Sequence, residues 1–143
     1  MNKNQLLNDI HNFFQISKKE INGYSPLTLA YLGDAVFEIV IRTIIVEKKS
    51  GTVKSLHRQS SDLVNAKAQA ELMSRIMSTL TEQEISIYKR GRNAKSHSVA
   101  KNANIHDYRN ATGFEALMGY LYLNGEMERL LELIQLGLAE LSQ

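Results

Sequence analysis

A single proline stands in this 143-residue chain, Pro26, and it directly follows a serine. Proline disrupts helix interiors and sheet centres alike, yet it suits the first helical position, where its missing N–H has no bond to lose. Ser25-Pro26 therefore reads as an N-cap and the opening of a helix. Nothing interrupts that helix until Lys48-Lys49-Ser50-Gly51, where positive charge suits the helix C-terminus and glycine supplies a stop. Strand-like alternation is nearly absent elsewhere, so the expected architecture is all-α. The length suits one domain with a real core.

The remaining elements follow from periodicity. A short amphipathic helix is expected over residues 4–16, with Leu6, Leu7, Ile10, Phe13 and Phe14 as its apolar side. One or two helices are expected over 53–80, turning Leu56, Leu63, Val64, Leu72, Ile76 and Leu80 inward. The run TEQE at 81–84 has the form of a capping box, in which Thr81 and Glu84 satisfy each other's backbone N–H. The helix it opens carries Ile85 and Tyr88 to Gly91 and beyond. Residues 93–106, NAKSHSVAKNANIH, are polar, cationic and without period, which reads as an exposed loop. A helix over 107–123 should end at Asn124-Gly125, and a last one should bury Leu130, Leu131, Ile134 and Leu138.

Several function classes drop out. No apolar run is long enough to span a bilayer, and the N-terminus has neither an apolar h-region nor a cleavage site. The absence of cysteine removes disulfides and thiolate metal sites. A cytoplasmic protein is expected. The net charge of +2 does not by itself point to nucleic acid, but its distribution is informative. Residues 85–106 contain no acid and carry Lys89, Arg90, Arg92, Lys95 and Lys101, which leaves the rest of the chain net acidic.

Two carboxylates stand out. In LAYLGDAVFE, residues 29–38, Asp34 follows a mid-helix glycine inside an apolar run. Asp34, Glu38 and Arg42 recur at i, i+4 and i+8, so one reading is a solvated stripe with an ordinary Glu38–Arg42 pair. The other reading starts from Gly33, which costs about 1 kcal/mol relative to alanine in a helix interior and suggests close approach of a backbone or ligand. In NATGFEALMGYLYL, residues 110–123, Glu115 is the only charge, flanked a turn away by Ala111 and Gly119, with Thr112 nearby. Buried carboxylates need a partner or a cation. If the two helices cross near Asp34 and Glu115, an oxygen-only pair forms. His57, His97 and His106 do not recur at ligand spacing, so the pair favours a hard cation, Mg²⁺ by default, and hence phosphate chemistry.

LAYLGDAVFE resembles the signature of the ribonuclease III family, and FEALMGYLYL resembles its second catalytic helix. The short length and the segment KRGRNAKSH are similar to the branch that consists of the catalytic domain alone, Mini-ribonuclease III. The resemblance covers residues 25–143 and leaves 1–24 as an N-terminal extension with a short helix. It implies a single helical endonuclease domain in which Asp34 and Glu115 are catalytic Mg²⁺ ligands. Two further carboxylates of the family's pattern are absent: Ala30 stands at one position and Thr112 at the other.

The resemblance also implies a homodimer in which Tyr31 inserts into the partner subunit. Lys89, Arg90, Arg92, Asn93 and Lys95 become candidate contacts to the backbone of double-stranded RNA. The implied activity is Mg²⁺-dependent hydrolysis of double-stranded RNA, leaving 5′-phosphate and 3′-hydroxyl ends, in the maturation of 23S (large-subunit) ribosomal RNA precursor. Whether a ribosomal protein presents that substrate stays open. The rival readings are a catalytically inactive double-stranded-RNA-binding dimer of the same fold, and a helical protein-interaction module.

Overall fold

The computed structural model describes residues 3–48, 50–94 and 104–138. Among them are seven α-helices and no strand: α1 (Gln5–Phe14), α2 (Pro26–Lys48), α3 (Val53–Val64), α4 (Ala66–Ile76), α5 (Glu82–Asn93), α6 (Ile105–Leu123) and α7 (Met127–Gly137). Short 3-10 turns at Ile21–Gly23 and Met77–Thr79 join some of them. The all-α expectation holds.

The predicted boundaries are set by the predicted chemistry. Ser25 Oγ accepts from Thr28 N at 3.1 Å and opens α2. Both halves of the Thr81–Glu84 capping box form at the start of α5. Gly51 and Gly125 take positive φ where α2 and α6 have ended, as glycine does without strain.

Helix α6 is the centre of the molecule. Residues Ala111, Thr112, Gly113 and Phe114, and then every residue from Ala116 to Tyr122, are buried. A helix apolar on all sides must be surrounded, and α2, α4, α5 and α7 all pack against it. Phe37 of α2 meets Phe114 edge-on at 5.0 Å between ring centroids. Leu72, Met73 and Ile76 of α4 and Leu130, Leu133 and Ile134 of α7 complete the core.

Glycine lets the two longest helices touch. A Cβ on Gly33 would overlap the carbonyl oxygen of Glu115 and stand 2.6 Å from Gly119 N. A Cβ on Gly119 would in turn overlap the carbonyl oxygen of Leu29. The close approach inferred from Gly33 is therefore the backbone of α6. Gly91 of α5 and Gly113 of α6 make a second such contact on the other flank.

Four expectations need correction. Helix α1 ends at Phe14 because Gln15 turns left-handed, at φ 52°, and Ile16 N bonds back to the His11 carbonyl. Its apolar side is largely exposed: Leu7 is buried, whereas Phe13 and Phe14 are 83% and 72% exposed and Leu6 is exposed as well. Polar contacts near its start hold α1 instead, Asn4 Nδ2 donating to the Tyr122 carbonyl and Lys3 N to the Gly125 carbonyl. Leu131 is exposed rather than inward, because the core side of α7 runs through Leu130, Leu133 and Ile134. Helix α6 starts at Ile105, since Asn104 Oδ1 accepts from His106 N and Asp107 N.

Candidate active site

Crossing at Gly33 and Gly119 brings the next residues along each helix together. Asp34 leaves α2 immediately after the contact glycine. Glu115 leaves α6 one turn before Gly119, and its own carbonyl is what Gly33 packs against. Asp34 is exposed, not buried as its apolar neighbours suggested, because that face of α2 lies open. Glu115 is the half-buried member, sharing a hydrogen bond with Asp34. Burial first, then that hydrogen bond and the nearby Asp34 charge, push the Glu115 carboxyl up to about 9. The sequence-predicted pair is thus brought together by two small residues.

The flanking positions supply no oxygen. Ala30 is buried against the core. Thr112 is buried, and its Oγ1 donates to the Tyr108 carbonyl of its own helix at 2.9 Å. Glu38 pairs with Arg42 at 2.7 Å on the exposed side of α2, the ordinary helix pair that the spacing allowed.

One polar neighbour was missed. Gln69, from the first turn of α4, is 2% exposed and lies within hydrogen-bonding reach of the Glu115 carboxyl, where it favours the ionised form against burial. The signal was present. Gln69 occupies the first position of the apolar stripe that continues through Leu72, Met73 and Ile76, a place where a polar side chain calls for a reason.

The basic cluster divides. Lys89 and Arg90 are exposed on the last turns of α5. Arg92 lies over the Tyr88 ring, 5.5 Å from its centroid, and donates to Asn93 Oδ1 at 3.2 Å. Arg92 and Asn93 both belong to α5, so the helix takes in Asn93, expected as the first residue of the loop, and Lys95 lies outside the described residues. Gly91, within the basic run, sits against Thr112, Gly113 and Ala116, the residues on either side of Glu115. Tyr31 is 83% exposed. His57 and His106 are exposed too; His97 lies outside the described residues.

Among the described residues, no group of three or more His, Asp or Glu side chains is arranged to hold a metal ion. Two carboxylates, one of them desolvated, still fit a hard divalent ion, which takes few protein oxygens and keeps several waters.

The family model described as Ribonuclease III domain matches residues 27–126, a span that contains both α2 and α6. The chain belongs to the ribonuclease III family. Among proteins of known name, it is 50% identical over 123 residues to the Mini-ribonuclease 3 of Clostridium tetani, covering 85% of this chain and 82% of that one. It is 53% identical over 118 residues to the Mini-ribonuclease 3 of Enterococcus faecalis, covering 81% and 87% of the two chains. A crystal structure of a Fusobacterium nucleatum protein has the same fold, at 31% identity and a TM-score of 0.76, covering 85% of this chain and 98% of that one. Within the ribonuclease III family the chain falls in the Mini-ribonuclease III branch, and it is an endoribonuclease.

Proposed function

We propose that this ribonuclease III-family enzyme cleaves double-stranded RNA with the help of Mg²⁺ held by Asp34 and Glu115. The observation that carries the reading is the convergence of those two carboxyls from helices far apart in sequence. At neutral pH Glu115, titrating near 9 in the absence of a cation, keeps a proton and shares it with Asp34. To hold an ion together with Asp34, Glu115 would have to give up that proton. When bound, the ion supplies positive charge at the scissile phosphodiester and lowers the pKa of water beside it. Asp34, on the open face, points the site toward substrate, while Glu115, packed within the fold, fixes where the ion sits.

Lys89, Arg90, Arg92, Asn93 and Lys95 serve as contacts to phosphates and 2′-hydroxyls of the duplex. Tyr31 serves as the dimer contact, which would set two sites along one RNA. The catalytic unit spans residues 25–143, with 1–24 as an extension. In a cell the substrate would be 23S (large-subunit) ribosomal RNA precursor in the cytoplasm. Among the described residues no helix is long and apolar enough to cross a membrane.

The second reading, an RNA-binding dimer that does not cut, draws on Ala30 and Thr112, which leave the ion only two carboxylates. One experiment separates the two. Purified chain is incubated with a perfect RNA duplex and Mg²⁺, with Asp34→Asn and Glu115→Gln in parallel. Metal-dependent cleavage that falls at least ~1,000-fold in both variants is the expected result. Tight duplex binding without cleavage by the wild type selects the non-catalytic reading. Equal cleavage by all three removes the site.

A further inference from the structure

Gln69 is a deeply buried polar side chain beside the carboxylate pair, and the proposed chemistry does not use it. Its Nε2 donates to the Val64 carbonyl at 3.0 Å, at the C-terminal end of α3. Its backbone N–H bonds to the Asn65 carbonyl, the N-cap of α4. The side chain is therefore fixed at the joint between the two helices, and the orientation of the amide is decided: only its NH₂ can face the Val64 carbonyl.

Two consequences follow from that orientation. A primary amide nitrogen has two hydrogens, so one remains for the Glu115 carboxyl within its reach. The amide oxygen, Oε1, is buried and has no partner among the described residues. Buried polar atoms are nearly always satisfied, and one that is not calls for an explanation. Because Oε1 and Nε2 share one carbon, the unpartnered oxygen also lies close to Glu115. It is an acceptor waiting for a donor, and the waters that a Mg²⁺ ion retains are donors.

We propose that Gln69 is a positioning residue for the ion site, holding the Glu115 carboxylate toward Asp34 with its N–H and receiving a water of the ion's hydration with its Oε1. The inference rests on the reading of Asp34 and Glu115 as ion ligands and adds a third group from a third helix. With Ala30 and Thr112 offering no oxygen to the site, a neutral amide does by hydrogen bonding what a further carboxylate would do by ligation. It adds no negative charge, so the already crowded pair is not repelled further.

The test uses the full chain and Mg²⁺ alone. Gln69→Met keeps length and bulk and removes both amide groups. Calorimetric titration of metal-free protein should show Mg²⁺ affinity weakened ten- to a hundredfold, the range for groups that orient ligands, with the variant folded by circular dichroism. Raising Mg²⁺ should restore much of its cleavage rate. A second measurement needs no variant: the side-chain amide signals of Gln69 in the wild-type ¹⁵N spectrum should move with Mg²⁺ and saturate with the Glu115 backbone signal. Mg²⁺ binding at Asp34 and Glu115 that leaves the Gln69 signals still, or an affinity in Gln69→Met within twofold of wild type, overturns the inference alone. Wild-type Asp34 and Glu115 signals that ignore Mg²⁺ overturn the ion reading and this inference with it.

Discussion

As the proposed ion ligand, Glu115 would serve two states with opposite needs. Without an ion it is desolvated beside another carboxylate, and its proton is retained to about pH 9. With an ion it must be ionised. The exchange predicts that Mg²⁺ binding at pH 7 releases close to one proton per site, measurable as the dependence of the calorimetric heat on the ionisation enthalpy of the buffer. A release of zero protons would mean either that Glu115 is already ionised without the ion or that it is not the ligand. The same residue burdens the metal-free fold. Its folded pKa is raised above the unfolded value near 4.5, so its contribution to stability is whole below pH 4.5 and lost as pH climbs toward 9. Glu115→Gln should therefore stabilise the metal-free chain by up to about 3 kcal/mol at pH 7, at about 1.4 kcal/mol per pKa unit, and by little at pH 4. Thermal melts of the two proteins at both pH values test it; activity and stability should move in opposite directions.

At the scale of helices, the site exists because α2 and α6 approach at backbone distance. Gly33→Ala puts a methyl where the Glu115 carbonyl oxygen already sits, and backbone on both sides leaves nothing flexible to yield. The expected result is a loss of about 3 kcal/mol or more, read by chemical denaturation, together with loss of Mg²⁺ binding. A second joint lies between α5 and α7, where Arg129 of α7 holds the buried Glu84 of the capping box through two bonds of 2.9 Å and also reaches the Thr79 carbonyl. Arg129 keeps the Glu84 carboxyl below its ordinary range, so this joint stabilises the fold above the unfolded pKa near 4.5 and weakens as pH falls through the lower folded value. Arg129→Met should destabilise by about 3 kcal/mol at pH 7 and by less in acid, because it leaves a buried charge unpaired. Both joints bear on what was legible. Gly33, Gly119, Asp34 and Glu115 could be read because each breaks a local rule: glycine in a helix, charge in an apolar run. The Arg129–Glu84 pair breaks none, since each residue looks like ordinary surface on its own helix and only the packing of α5 and α7 on α6 brings them together. Helix α1 misled for the opposite reason. Its 3.6-residue period is real, but periodicity reports that a face is apolar and not that this fold covers it.

At the scale of the whole molecule, one stretch of the apolar surface left uncovered among the described residues lies next to the site. Leu27, Tyr31, Ile39 and Val46 are exposed on α2, and at 100° per residue they span an arc of about 120° with Leu27 and Tyr31 at the edge beside Asp34. Isolated apolar side chains at a surface need no account, but a run of them along one helix marks an interface. A homodimer through this face would place each Asp34 at the rim of the interface, so assembly and catalysis should fail together. Sedimentation at micromolar concentration is expected to give twice the 16.2 kDa of one chain. Tyr31→Arg should give the single-chain mass with helical content intact, and duplex cleavage reduced by at least tenfold, since a charge desolvated at the centre of such a contact is strongly unfavourable. The basic end of α5 makes a separable contribution. Arg90→Ala should leave the mass unchanged, weaken binding to all duplexes alike, and lower the salt dependence of that binding by about one charge. A wild-type chain that cuts RNA while sedimenting at 16.2 kDa would show that one copy carries a complete site and would leave the α2 face to some other partner.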